Sequence, residues 1–138
     1  MLANTFKKEY IAILDGILKQ SSGTINAGIA RKPNSIIERE INDDGESAIT
    51  HYTLLHTDEI KSISVVSFIL ETGRTHQIRL HSKHIGHPII GDTLYGSSSS
   101  LISRQALHSN KISFTHPITL EPQEYSSPLP DDMKSLID

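Results

Sequence analysis

The sequence predicts an α+β domain, with a mostly antiparallel or mixed β-sheet and a few short helices. The first observation behind this is a series of short β-branched and aromatic runs separated by turn residues, as is typical of strands. The second is a single segment, directly after the most apolar run, in which the apolar spacing changes to that of a helix. A length of 138 residues suits one domain, so residues 1–138 are expected to form a single one.

The first predicted strand is Lys7–Leu14, which is rich in β-branched and aromatic residues and ends at the turn pair Asp15-Gly16. The segment Ser21–Asn34 is rich in serine, glycine and asparagine. It is predicted to be a loop that contains one short strand near Thr24–Ile29.

Two further strands are predicted in the middle of the chain, after a turn that ends the acidic segment Glu38–Glu46. Ala48–His56 alternates roughly between apolar and polar residues. Ile63–Leu70 is the most apolar segment and is predicted to be a central strand. The intervening turn, Thr57–Lys61, is short enough to join the two strands as an antiparallel pair.

The next element is predicted to be a helix from Thr75 to Ile85. Thr75 is a residue type favoured at an N-cap, and Ile78 and Ile85 lie at helical spacing. Gly86 occupies the position where a helix commonly ends in the left-handed conformation, and Pro88 follows it.

The C-terminal part is predicted to contain a hairpin and a closing helix. The strands of the hairpin are Gln105–Phe114 and Thr119–Tyr125, joined around His116-Pro117. The closing helix is Pro130–Ile137.

The composition excludes some classes of site and marks one segment. The chain has no cysteine, which excludes disulfides and thiolate metal sites, and no apolar run long enough to cross a membrane. A cytoplasmic protein is therefore expected. The net charge is −3, yet no acid lies between Glu71 and Asp92, where Arg74, Arg79 and Lys83 occur with four histidines. Two arginines near a helix N-terminus can form an anion site, although chance clustering of charge explains the pattern equally well.

The four histidines of this segment allow a metal site or a set of hydrogen-bonding residues. They are His76, His81, His84 and His87. His81 and His84 would share one helix face, but the helix offers no carboxylate as a further ligand. We therefore expect no metal, with His76 and His81 forming hydrogen bonds near the arginines and the other two at the surface or capping the helix.

Three stretches together resemble the RluA family of pseudouridine synthases. The string GRTHQIRLH…HIGHPIIGDTLYG, from Gly73 to Gly96, resembles the family signature. KKEYIAILDG, from Lys7 to Gly16, resembles the K-x-Y-x-A-x-x-x-G strand, and LHSNKISFTHPIT, from Leu107 to Thr119, resembles a family hairpin. The resemblance therefore extends from about Lys7 to the C-terminus.

The resemblance implies an enzyme that isomerises uridine to pseudouridine in ribosomal or transfer RNA, without a cofactor or metal. In the family, an aspartate attacks the nucleoside, the glycosidic bond breaks, and the base turns and rejoins through a carbon. Arg79 resembles the arginine that pairs with this aspartate, and Tyr10 the tyrosine that packs against the target base. The substrate-binding residues implied in the same way are Arg74, His76, Gln77 and His81.

One departure from the family concerns the nucleophile. The family's aspartate lies in an H-R-L-D-x-x-T-S-G element upstream of the K-x-Y strand, and these 138 residues contain no H-R-L-D. Asp15 and Asp92 each lie beside a glycine in a turn and do not match that element. The chain is therefore expected to be the C-terminal part of a synthase catalytic domain and to be inactive by itself. The carboxylate that pairs with Arg79 is expected to come from outside the chain. The alternative is a non-catalytic RNA-binding module.

A missing upstream segment would also leave part of the sheet uncovered. Ile11, Ile13 and Ile69 are expected to lack some of their cover, and an open strand edge can recruit a second chain. We therefore expect RNA as a partner and a homo-oligomer formed through an uncovered sheet edge.

Overall fold

A computed structural model describes residues 7–96, 98–116 and 118–137, and it confirms the predicted α+β class. One antiparallel sheet of six strands has the order β2-β5-β6-β1-β7-β8. Two further strands form a separate ribbon, and two helices pack nearby. The elements are β1 (Lys7–Asp15), β2 (Ser22–Asn26), β3 (Ile29–Arg31), β4 (Arg39–Ile41), β5 (Ile49–Asp58), β6 (Ile63–Leu70), α1 (Gln77–His84), β7 (Leu107–Thr115), β8 (Pro122–Ser126) and α2 (Asp131–Ile137).

The first strand, β1, lies inside the sheet rather than at an edge. It pairs with β6 on one side and with β7 on the other, both antiparallel. Ile11 and Ile13 are buried as a result, so the expectation that they lack cover is wrong, while Ile69 is 36% exposed. The edges of the sheet are β2 and β8. Association through one of those edges stays a prediction.

The main core lies where β1 and β6 meet the two helices. Phe68 and Ile13 are completely buried on the two paired strands, Ile78 contributes from α1, and Met133 and Leu136 contribute from α2. Burial of side chains of this size supplies most of the stability of a small domain, at about 25 cal/mol per Å² of apolar surface. The core therefore fixes β1 and α1, the two elements that carry Tyr10 and Arg79, relative to each other.

The segment predicted as a loop with one strand contains more regular structure than expected. The strand near Thr24–Ile29 is instead two strands, β2 and β3, and β3 pairs with β4 to form the two-stranded ribbon. The strand propensity of the residues alone did not predict β4, because Arg39–Ile41 contains two charged residues. β4 also contacts Tyr95, whose hydroxyl accepts a hydrogen bond from the Arg39 N–H at 2.8 Å.

The signature helix is shorter than predicted at its N-terminus. It spans Gln77–His84, and its N-cap is His76 rather than Thr75. His76 adopts a left-handed conformation, with φ of 59°, and its side chain makes no capping bond. The C-terminal prediction is confirmed, because Gly86 has φ of 87° and follows the C-cap Ile85. Glycine is favoured there because it has no Cβ to clash.

The C-terminal elements agree with the sequence prediction. β7 and β8 form the expected antiparallel hairpin, and α2 is the expected closing helix. Pro117, in the middle of the predicted turn, lies outside the described residues. None of the helices in the described part of the chain has the length and apolar character needed to cross a membrane.

Candidate active site

The feature at the centre of the candidate site is an ion pair between Arg79 and Asp92. The Arg79 guanidinium donates from Nε to Oδ2 and from Nη2 to Oδ1 of Asp92, both at 2.9 Å. The carboxylate is 1% exposed and the guanidinium side chain 17%. This two-point geometry is the one in which arginine binds a carboxylate most strongly. The expectation that Arg79 has no carboxylate partner within the chain is therefore wrong.

Local backbone structure places Asp92 under Arg79. Gly91 has φ of 77°, and a Cβ there would lie 2.0 Å from the Arg104 carbonyl oxygen, so only glycine fits. Asp92 Oδ1 then accepts bonds from the backbone N–H groups of Leu94, at 3.1 Å, and Tyr95, at 3.2 Å. Asp92 is thus a turn-former, as its position after glycine suggested, and the same carboxylate also holds Arg79.

The ionisation of the pair follows from these contacts. Burial alone would raise the pKa of Asp92, but the bonds from Arg79 and from two backbone N–H groups outweigh burial and lower it. The bond to Asp92 likewise raises the pKa of Arg79 against the opposing effect of burial. Both groups are therefore charged at neutral pH. Because its two oxygens accept four hydrogen bonds, Asp92 is not free to act as a nucleophile.

Tyr95 links this ion pair to the neighbouring elements. Its ring lies under the Arg79 guanidinium, 5.0 Å from the centroid, in cation–π contact. Its hydroxyl lies 2.6 Å from His76 Nδ1 and accepts from the Arg39 N–H. The hydroxyl and His76 Nδ1 are thus joined by a hydrogen bond whose direction depends on the tautomer of the ring. Burial and the neighbouring arginines lower the pKa of His76, in agreement with a neutral ring.

Two residues expected to bind substrate lie in the interior instead. Gln77 is 2% exposed, and its amide bonds to the backbone of Ile49 and Arg74 and to the hydroxyls of Thr50 and Thr72. His81 is fully buried, with Nδ1 bonded to Thr50 and Nε2 to the Ala27 carbonyl. Their polar atoms are satisfied within the protein. A role of either residue in binding substrate stays a prediction. Neither of the two hydrogen-bond partners of His81 is an arginine, although its hydrogen bonds were expected to lie near the arginines.

Arg74 is separate from Arg79 in its contacts. Its Nη1 lies 3.1 Å from a Glu46 carboxylate oxygen, and its Nε donates to the Ser47 carbonyl at 2.8 Å. Each arginine thus has its own carboxylate, and the predicted anion site shared by both at the helix N-terminus does not form. Arg74 remains about one-third exposed and available to a further partner.

Tyr10 lies on β1, half-buried at the edge of the main core and in register with Phe68 and Ser109. The Asp92 turn is anchored three residues further along the same strand, because Ile90 donates to the Ile13 carbonyl at 3.0 Å. A strand rises about 3.3 Å per residue, so roughly 10 Å separates the two positions along β1. Tyr10 makes none of the hydrogen bonds of the Arg79 cluster within the described residues.

Arg79 also lines a solvent-open recess of about 210 Å³. Its Nη1 makes no hydrogen bond among the described residues, and the Gln105 side-chain oxygen in the same recess is buried without a partner there. The recess therefore offers a charged donor, and Gln105 lies in its wall with its side-chain oxygen shielded from solvent. The other residues that line it are Gly91, Asp92, Thr93, Ser103 and Arg104.

Three residues of the cluster were not predicted to belong to it: Asp92, Tyr95 and Gln105. Asp92 and Tyr95 are in the signature string, and their spacing after Gly91 was the one signal that could have found them. Gln105 carried no local signal, because its position depends on the packing of the segment before β7. Within the described ranges, no three potential ligand side chains converge as a metal site would require.

Two histidines, the partly buried His76 and the fully buried His81, predict an acid-sensitive fold. Burial lowers the pKa of His76 and of His81 from 6.5, so the unfolded chain takes up protons more readily than the folded one. Stability should therefore fall as the pH drops below about 6.5, until it passes the folded pKa values. Urea unfolding from about pH 8 to pH 5 measures this. His81→Gln should reduce the pH dependence, whereas His56→Gln, at an exposed position, should retain it. Equal dependence in both variants would contradict the assignment.

The site and fold define a class of protein. The family model described as RNA pseudouridylate synthase matches residues 1–84, more than half of the chain. The chain therefore belongs to the RNA pseudouridylate synthase family, and the resemblance to its RluA branch is confirmed.

Individual relatives carry the same description. The chain is 48% identical over 132 residues to a Bacillus subtilis protein named "Uncharacterized RNA pseudouridine synthase YjbO", an alignment that covers 95% of this chain and 46% of that protein. It is 37% identical over 144 residues to "Ribosomal large subunit pseudouridine synthase D" of Xylella fastidiosa, with 94% and 43% covered. The chain thus spans less than half the length of these curated relatives.

Solved structures agree with the fold. The human protein "RNA Pseudouridylate Synthase Domain Containing 1" superposes with a TM-score of 0.77 at 27% identity, over 90% of this chain and 55% of that one. The human protein "RNA Pseudouridylate Synthase Domain Containing 4" superposes with a TM-score of 0.70, over 94% and 60%. At 20% identity, this second likeness concerns the fold alone.

Proposed function

We propose that the chain is the C-terminal part of a catalytic domain that isomerises uridine to pseudouridine in ribosomal or transfer RNA. The observation that carries this proposal is the Arg79–Asp92 pair beside an open recess. The pair fixes the guanidinium plane and leaves Nη1 directed away from Asp92. A cation held in this way favours the ionised form of a second carboxylate placed in the recess.

In this proposal, the second carboxylate is the aspartate of an H-R-L-D segment. Arg79 keeps that aspartate ionised for attack on the target nucleoside and does not itself form a covalent bond. Tyr10, which lies on β1 three residues before the Ile13 carbonyl that anchors the Asp92 turn, offers an aromatic face to a base that has left its helix. After the C1′–N1 bond breaks, the detached uracil turns and bonds to C1′ through C5. The C5 hydrogen is then released to water as a proton and N1 takes up a proton, so the product is an isomer of the substrate.

Asp92 does not replace the missing nucleophile, because its oxygens are fully bonded and buried. The 138 residues by themselves should therefore bind RNA without turning it over. No cofactor or metal is part of the proposal, and the fold supplies position and charge only.

Release of tritium from RNA labelled at uridine C5 tests the proposal. The purified 138-residue chain should release none, and a chain extended upstream by a family H-R-L-D segment should release it in proportion to pseudouridine formed. The same extension with its aspartate changed to asparagine is the matched control and should be inactive. Turnover by the unextended chain would contradict the proposal that the nucleophilic aspartate lies outside these 138 residues. Inactivity of a folded extended chain that binds RNA would favour the alternative, a non-catalytic RNA-binding module.

A further inference from the structure

We propose that three arginines around the β3–β4 ribbon form a binding site for the phosphate backbone of the RNA. This site, the arginine pocket, is a solvent-open cavity of about 390 Å³ between the ribbon and the start of α1. Its basic side chains are Arg31, Arg39 and Arg74. The proposal rests on the proposed function, because that function makes RNA the polyanion at hand.

The first observation is the placement of Arg31 directly opposite Arg39 in the ribbon. Directly paired residues of an antiparallel ladder project from the same face, with Cβ atoms about 5 Å apart. Like charges at such a pair repel each other and destabilise the ribbon. An anion bound between the two guanidinium groups would remove this repulsion, so the ribbon is arranged to favour an anionic ligand.

The second observation is the balance of charge in the pocket. Glu46 is its only acid among the described lining residues, and it is bonded to Arg74 at 3.1 Å. Arg39 donates from Nη1 only to the carbonyls of Ile37 and Glu38, at 3.4 and 3.5 Å, and the Arg31 side chain makes no hydrogen bond or ion pair within the described chain. Three cations against one anion leave an excess of two positive charges.

The chemistry of the three side chains selects the ligand. Guanidinium groups bind phosphate oxygens through two parallel hydrogen bonds, and arginine is favoured over lysine for such contacts. The pocket is lined by polar backbone and by small residues, Ala30, Gly73 and Thr75, rather than by aromatic rings. It therefore fits the sugar–phosphate backbone and lacks the stacking surface that a base would need.

The ribbon is also joined to the candidate active site. The Arg39 N–H donates to the Tyr95 hydroxyl, and the Tyr95 ring lies under Arg79. The arginine pocket and the recess beside Arg79 are thus held at a fixed separation by one side chain. Backbone bound in the pocket would position an RNA strand for the nucleotide that reacts at Arg79.

The experiment measures binding of an oligouridylate to the 138-residue chain as a function of KCl concentration. Each phosphate contact to a single strand contributes about 0.7 to the slope of log K against log salt. The double variant Arg31→Gln/Arg39→Gln should therefore lose about 1.4 from the slope and bind on the order of tenfold more weakly near 0.1 M salt. The matched control, Lys19→Gln/Lys134→Gln, removes the same charge at two exposed positions outside the pocket and should retain the slope.

Two further arms separate RNA binding in the pocket from loss of the fold and from binding of free phosphate. Arg31→Lys/Arg39→Lys keeps the charges, and it should retain most of the slope even where the glutamine variant folds poorly. Inorganic phosphate, added at constant ionic strength, tests for a site that binds free phosphate and not RNA. Equal losses in the pocket and control variants, an unchanged slope in the pocket variant, or full displacement of RNA by millimolar phosphate would each overturn the inference.

The outcome is separable from the proposed function. A nucleophile-bearing chain that fails to form pseudouridine would contradict the proposed function while the slope result stands. An unchanged salt slope in the pocket variant would contradict the arginine pocket, and it would leave the proposed pseudouridine synthase function uncontradicted.

Discussion

Asp92→Ala is expected to lower the free energy of unfolding by about 3 kcal/mol, the lower end of the cost of removing one partner from a buried ion pair. The variant leaves the Arg79 charge mostly buried and without its carboxylate, and it removes the acceptor for the Leu94 and Tyr95 N–H groups. The lower end applies because the Arg79 side chain is 17% exposed and reaches some water. Urea unfolding of the variant and the parent chain measures the loss.

The chain provides a matched control for this prediction. Arg104 and Asp132 form the same two-point geometry, with both bonds at 2.9 Å, but both side chains are about 40% exposed. Asp132→Ala should cost clearly less than Asp92→Ala, because water replaces the lost contact. Asp92→Asn should be intermediate, since its amide oxygen can still accept from the turn. Equal losses at Asp92 and Asp132 would show that burial does not determine the strength of the pair.

Arg79→Gln is expected to reduce pseudouridine formation roughly a hundred- to a thousandfold in a chain that carries the H-R-L-D segment, the usual cost of removing one preorganised electrostatic group. The physical reason is that glutamine cannot hold the attacking aspartate in its ionised form. Tritium release under single-turnover conditions measures the chemical step directly. Arg79→Lys keeps the charge but not the two-point geometry, so it should restore part of the rate.

Two measurements separate this role from loss of the fold. Lys19→Gln, on an exposed loop, should turn over RNA at the parent rate. The reaction rates of the Arg79 variants should be compared with the rate of Asp92→Asn under conditions in which the variants are equally stable. Asp92→Asn weakens the ion pair without removing the guanidinium. If a folded Arg79→Gln chain kept the parent rate, the guanidinium would have no part in the reaction.

The sequence by itself determined the elements whose signals are local. The alternating and apolar runs predicted β1, β5 and β6 to within a few residues, and Gly86 marked the end of α1 correctly. The resemblance of Gly73 to Gly96 to the family signature also identified Arg79 as the centre of the candidate site. These signals depend on neighbours a few residues apart, for which spacing on a helix or strand is fixed by geometry.

The start of α1 shows where a local signal failed. Thr75 is a favoured N-cap residue, yet the helix begins after His76 in a left-handed conformation. The contact between His76 and the Tyr95 hydroxyl, and the four bonds of the Gln77 amide, hold the chain in this position. Such contacts join segments up to 28 residues apart, so no local preference could have predicted them.

Only the tertiary structure decided which charges meet. The sequence indicated that Arg79 requires a carboxylate, and it placed Asp92 in a turn 13 residues later. The packing of Ile90 against β1 and the close approach of Gly91 to Arg104 bring the two together. Contacts of α1 with β5 likewise hold Gln77 and His81 in the interior, although the motif alone had assigned both to substrate. Local sequence patterns determine which elements form and which residue types they carry. The fold determines which residues contact each other, because contact depends on distance in space and not along the chain.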